Sequence, residues 1–258
     1  MSATPPRKGA NRVADIPPDI LEALSVGQIP SATLTEGLAV DQYRLLCTVF
    51  PSLSTDVLHK AHAFTELGIL RRMVAMGTLL QTEVGNDALT TCLAHPSDTV
   101  RGWACFMIGA QAPLPLDKRL AAIRPLADDE HFGVREWSWM AVRPYLVNEL
   151  DSAITLLTAW TASPSEWVRR FACEALRPRG VWCAHIAAFK KEPQLALPIL
   201  EALRADPSVY VQDSVANWLN DAGKDQPDWV QALCTRWLAE SPTDATQRIC
   251  QRARRNLK

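Results

Sequence analysis

The chain has 258 residues, of which 48% are hydrophobic and 21% charged, with a formal net charge of −1. This is the composition of an ordinary globular protein long enough for a sizeable core, and its near-neutral balance argues against a strongly basic nucleic-acid binder. Ala153 to Trp160 is among the longest apolar runs; none approaches the roughly eighteen residues of a membrane span, so no membrane partner is expected.

The opening MSATPPRKGANR is polar, basic and proline-rich, without the apolar stretch of a signal peptide. It reads as a flexible tail over 1–15 of a cytoplasmic, monomeric protein, followed by a single domain over 16–258. From there apolar residues recur three and four apart and strand-like alternation is scarce. Helices are predicted near 17–26, 33–50, 54–65, 68–82 and 86–94.

Beyond residue 94 the sequence repeats itself. HPSDTVRGWA (95–104), DEHFGVREWS (129–138), SPSEWVRRFA (163–172) and DPSVYVQDSV (206–215) align on Val100, Val134, Val168 and Val211, and a degenerate fifth copy, SPTDATQRIC (241–250), aligns on Thr246. The spacings are 34, 34, 43 and 35 residues, a period that marks stacked helix pairs. The fold class is therefore all-α, a HEAT-like helical-repeat solenoid. The residue that opens each copy (His95, Asp129, Ser163, Asp206, Ser241) precedes the helix, and the Asp and Ser members suit an N-cap, with proline at 96, 164, 207 and 242 suited to the first helical position. First helices of the pairs are predicted at 117–127, 150–161, 195–205 and 227–239. The long spacing holds an insertion, GVWCAHIAAFKKEP, read as a short helix and a turn.

The seven cysteines are odd in number and form no Cys-x-x-Cys pair; they read as buried free thiols. His59 and His62 are spaced i, i+3 with no third ligand evident, so neither a metal nor another cofactor is expected.

Positions +2, +6 and +10 from each anchor share one face of the second helix, the face that solenoids commonly expose on their concave side. Glu136, Glu174 and Asp221 occupy steps +2, +6 and +10 of three successive second helices; with a matching slant they converge. For any one acid a solvated charge or a salt bridge is the plainer reading. Around them cluster Arg135, Arg143, Arg169, Arg170, Arg177 and Arg179, with Trp137, Trp139, Trp167 and Trp182 in the same segments. Trp103, Trp137 and Trp160 fit core positions, whereas Trp182 opens the insertion. Arginines beside tryptophans and acids suit a phosphate backbone held next to a cationic base. The second half of the chain, with 16 Lys/Arg against 14 Asp/Glu, is the half that favours an anionic partner.

The stretches KGANR, IPPDILEALSVGQI and TLTEGLAVD resemble the N-terminal region of the AlkC branch of HEAT-like repeat DNA glycosylases, in the AlkC/AlkD superfamily. HFGVREWSWMAVRP, SPSEWVRRFACEALRPRGVWC and DPSVYVQDSVANWLNDAGKDQPDWV resemble its central repeats. The resemblance implies a 3-methyladenine DNA glycosylase acting on alkylated double-stranded DNA and extending to lesions such as 3-methylcytosine. It implies a catalytic set of Glu136, Glu174, Asp221 and Trp182; the clustered Arg135, Arg143, Arg169, Arg170, Arg177, Arg179 and Trp139 are the residues expected on DNA. Longer members that look similar carry an immunoglobulin-like domain for which this sequence leaves no room. The rival readings are a non-catalytic scaffold and a damage-binding protein without cleavage.

Overall fold

A computed structural model describes residues 7–257. Among them are sixteen α-helices and no strand, as the 3.6-residue periodicity requires. No helix is long and apolar enough to cross a membrane. The contacts group the chain into two compact units, and one of the three cuts between them falls inside a long helix.

The first unit runs to Leu114 and takes in Glu130–Ala141. It holds α1 (Pro18–Ser25), α2 (Leu34–Ala39), α3 (Gln42–Val49), α4 (Thr55–Ala63), α5 (Ile69–Glu83), α6 (Asn86–Leu93), α7 (Asp98–Ala110) and the start of α9. The single helix expected over 33–50 is two. Val40 leaves helical geometry, and the Asp41 carboxylate accepts from the Arg44 N–H at 3.0 Å, capping α3. Helix α5 packs on α7, around Met73, Met76, Leu80, Trp103 and Met107, each at most 1% exposed. Of the expected tail, residues 1–6 lie outside the described residues. Arg7 already grips buried Glu36 through two 2.6 Å hydrogen bonds, and Val13–Asp15 form a 3-10 turn.

The second unit comprises Pro115–Asp129 and the chain from Val142 onward. It holds α8 (Leu116–Ala127), the end of α9 (Phe132–Asn148), α10 (Leu150–Trp160), α11 (Glu166–Glu174), α12 (Ala187–Lys191), α13 (Leu197–Leu203), α14 (Val209–Ala222), α15 (Pro227–Glu240) and α16 (Asp244–Ala253). Helix α14 packs against both α11 and α16, and α10 against α13. All four anchor valines are at most 1% exposed and Thr246 is fully buried. The inserted short helix is α12.

The repeat starts differ from expectation by two residues. The N-caps are Ser97, Ser165, Ser208 and Thr243, so the prolines precede the helices. The residue before each of the first three prolines, 96, 164 and 207, instead builds the turn. The His95 ring, the Ser163 hydroxyl and the Asp206 carboxylate accept the N–H of the cap residue two positions on. A side-chain turn thus competes for the donors that a cap would take, and proline fixes the turn before the helix begins. The seven cysteines are unpaired thiols, five of them buried.

Candidate functional site

In the second unit Glu174 ends α11 and Asp221 lies in the last turn of α14. Each is 4% exposed. Arg177, just past α11, joins them. Its Nη1 donates to Glu174 Oε1 at 2.8 Å, while Nε and Nη2 donate to Asp221 Oδ2 at 3.0 and 2.7 Å. The other Glu174 oxygen accepts from the Ser214 hydroxyl at 2.6 Å and lies 3.7 Å from the Arg170 guanidinium, which stacks 4.4 Å over the Tyr210 ring. Asp221 Oδ1 is met by the Lys224 ammonium at 3.4 Å.

Burial works against the charged form of Glu174, yet Arg170, Arg177 and the Ser214 hydroxyl outweigh it and hold its pKa below the usual carboxylate value. Burial likewise opposes the Arg177 charge, and the two carboxylates more than restore it. Glu174 is therefore held as a carboxylate beside a cation that it shares with Asp221.

Arg143 does not face outward. It is 3% exposed, and it donates to the carbonyls of Ala175 and Arg177 at 2.7 Å each and of Ala184 at 3.1 Å. Burial lowers its pKa. A buried cation that satisfies last-turn carbonyls stabilises a helix C-terminus; here it also pins the loop that follows. That loop closes where the Ile186 N–H donates to the Pro178 carbonyl at 3.0 Å. Gly180 passes so near Arg143 that a Cβ would sit 3.3 Å from its Cζ and against the Cys183 sulfur, an approach only glycine allows. At the loop's tip Trp182 is 45% exposed beside exposed Val181. Its φ is +59°, the left-handed region, unusual for a bulky residue.

Arg135 and Arg169 occupy the position after an anchor valine, and so do Arg101 and Gln212. All four fold back on the loop before their own helix. Arg101 donates to the carbonyls of His95 and Pro96, Arg135 to Glu130, Arg169 to Ser163 and Pro164, and Gln212 to Asp206. Arg169 also takes Asp206 with two bonds, at 2.7 and 3.0 Å. The Val-Arg pattern is a turn-fastening device of the repeat, which is the physical reason Arg169 is placed as a structural residue rather than on a nucleic-acid surface. Arg179 pairs with Asp225 at 2.9 Å.

Glu136 and Trp139 belong to the first unit. Trp139, expected to face DNA, is 1% exposed, and its indole N–H donates to Glu136 Oε2 at 2.9 Å. Trp139 is thus core, with its polar edge turned toward the half-buried acid. Trp103, Trp137 and Trp160 are buried as expected.

The sequence reading missed Ser214, Lys224, Tyr210 and Asp225 as partners of the cluster. The signal was register: Arg177 and Asp221 are 44 residues apart, one long repeat, so they fall at neighbouring steps of adjacent pairs.

Comparisons with known proteins follow the same residues. The family model for the DNA alkylation repair enzyme matches residues 122–253. The uncharacterized protein YhaZ of Bacillus subtilis (strain 168) is 42% identical over 113 residues, 44% of this chain and 32% of the relative. Among solved structures, Pseudomonas fluorescens alkylpurine DNA glycosylase AlkC, bound to DNA containing an abasic site analog, superposes with a TM-score of 0.68 at 25% identity, covering 96% of this chain and 65% of that one. The chain therefore spans about a third of YhaZ and less than two thirds of AlkC. AlkD2 from Streptococcus mutans shares the fold at 22% identity and a TM-score of 0.60, over 78% of this chain and 97% of that one.

Proposed function

The chain belongs to the DNA alkylation repair enzyme family, and from that premise we propose that it hydrolyses the N-glycosidic bond of cationic alkylated bases in double-stranded DNA. The substrates are 3-methyladenine and, as a second lesion, 3-methylcytosine. The observation that carries this reading is the pair of buried acids, Glu174 and Asp221, held together by Arg177. The likeness to AlkC on abasic-site DNA supports the choice of DNA.

A base methylated on N3 is already cationic. When its glycosidic bond breaks, the bonding electrons return to the base and neutralise it, so no acid is needed to protonate the leaving group. Positive charge moves to the deoxyribose. Fixed carboxylates stabilise that charge without reorganising, and a low pKa keeps Glu174 anionic throughout. Water then adds to the sugar carbon and releases a proton to solvent. Asp221 Oδ2 carries both guanidinium bonds, whereas Oδ1 meets only Lys224 among its described partners. Oδ1 is therefore the oxygen assigned to orient that water. Trp182, displayed at the loop tip, stacks on the lesion or its sugar. Arg170 and Arg179 are assigned to flanking phosphates.

The test is release of free base from methylated DNA. Wild type should liberate 3-methyladenine, and the Glu174→Gln, Asp221→Asn double variant should not, with thermal melts confirming that it folds. No release by wild type, or equal release by a folded double variant, ends the proposal. One observation favours a binding scaffold instead: both acids are already ion-paired. A scaffold predicts the first of those two outcomes.

A further inference from the structure

Helix α16 carries a row of arginines that none of the site assignments above includes. From the anchor Thr246, positions +2 and +6 are Arg248 and Arg252, the same steps that place Asp213 and Asn217 on α14, where +10 is Asp221. Side-chain bonds confirm that the two faces adjoin. Arg248 Nη2 donates to Asp213 Oδ1 at 2.7 Å, and Arg252 Nε lies 3.0 Å from the same oxygen. Arg255 Nη2 donates to the Asn217 side-chain oxygen at 3.0 Å. The arginine row thus runs beside the α14 row that ends at Asp221.

The charge on this row is not balanced. Two guanidiniums share one carboxylate, which neutralises one of them. Arg255 meets only a neutral amide oxygen and the Arg252 carbonyl among its described partners, and Arg254 meets the Cys250 carbonyl. Arg248 and Arg252 keep about a third or more of their side-chain surface in water, and Arg255 is exposed. Like charges held this close repel one another, and a planar fork meets a phosphate with two parallel bonds. Packed helices lie roughly 8–10 Å apart. At about 3.4 Å of rise per nucleotide along one strand, the neighbouring helix meets the backbone about two or three nucleotides from the row that contains Asp221.

We propose that Arg248, Arg252 and Arg255 form a phosphate-binding row that holds the DNA backbone two to three nucleotides from the lesion. The identity of the polyanion as DNA rests on the function proposed above, and the row itself on the charge and register of α14 and α16.

The experiment is binding of a fluorescent duplex containing an abasic-site analog, across a range of potassium chloride concentrations. It compares wild type, the triple variant Arg248→Gln/Arg252→Gln/Arg255→Gln, and a charge-matched control, Lys60→Gln/Lys118→Gln/Arg236→Gln. Each lost phosphate contact flattens the plot of log affinity against log salt by about 0.9. The α16 variant should therefore lose about two to three from the slope and bind about 10- to 100-fold more weakly near 100 mM salt, while the control stays within about twofold. Melting curves establish that both variants fold. An unchanged slope in the α16 variant, an equal loss in the control, or a wild type that binds no duplex overturns the row. Wild type that binds with the expected slope yet releases no methylated base overturns the enzyme reading alone.

Discussion

Arg177 and Asp221, 44 residues apart in sequence, are locked by two hydrogen bonds from one guanidinium edge to a single carboxylate oxygen, at 3.0 and 2.7 Å. The remaining guanidinium nitrogen on the other side reaches Glu174. One side chain in the turn after α11 thereby sets the separation of two acids on different helices.

Removing that side chain takes from two buried acids the cation they share, leaving Glu174 to Arg170 at 3.7 Å and Asp221 to Lys224 at 3.4 Å. Breaking a buried pair by deleting one partner costs about 3–5 kcal/mol, so Arg177→Met should lower unfolding free energy by about that amount in urea titrations. Arg177→Lys keeps the charge but not the fork and should recover only part. Base excision by the lysine variant, measured where it is still folded, should fall at least tenfold. Wild-type stability in Arg177→Met would show that the acids do not depend on their bridge.

The repeat and its core face were legible because burial imposes a period. Val100, Val134, Val168 and Val211 stand one repeat apart and all are sealed from water. The roles of the arginines were not legible, because charge alone does not say which way a guanidinium turns. Arg143 and Arg169 look in sequence like any cation near an acid; only their carbonyl partners reveal fastening roles. The helix starts slipped for a related reason. Ser163 and Asp206 are residue types that cap helices, yet the proline after each leaves them a turn earlier, and the next serine takes the cap.

The Arg169–Asp206 pair should behave as a coupled unit. Both side chains are mostly buried, and the acid also accepts the Ser208 N–H at 2.9 Å. Asp206→Asn should destabilise the protein by about 3 kcal/mol, since it leaves Arg169 without its counter-charge. Adding Arg169→Gln should cost much less than the sum of the two single changes. A double-mutant cycle in denaturant with a coupling below about 0.5 kcal/mol would mean the pair acts as two separate contacts.

Acid should unfasten the N-terminal segment through Glu36. The Arg7 hydrogen bonds, opposed by burial and helped by the N–H groups of Ala32 and Ala10, bring its pKa down to about 2. A carboxylate with a lowered folded-state pKa contributes its stability above its unfolded value, and that contribution disappears as pH falls through the folded value. The window here is therefore from about 4.5 down to about 2. Glu36→Gln should reduce stability at pH 7 by on the order of 2 kcal/mol and flatten the loss across that window. Parallel stability–pH curves for variant and wild type would exclude the role.

Trp182 offers a way to separate stability from chemistry. Its backbone sits at φ +59°, a conformation that costs a bulky residue roughly 1 kcal/mol or more and glycine almost nothing. Its side chain is 45% exposed, so truncation forfeits little burial. Trp182→Gly should thus leave stability within about 1 kcal/mol of wild type, the relief of strain offsetting the added freedom of the unfolded chain. Trp182→Ala keeps the strained backbone and should be the less stable of the two. Both remove the ring assigned to stack on the lesion, and both should lower base excision at least tenfold. Excision at the wild-type rate in the glycine variant would detach Trp182 from the reaction, whereas alanine more stable than glycine would show that the loop relaxes out of its left-handed turn once the ring is gone.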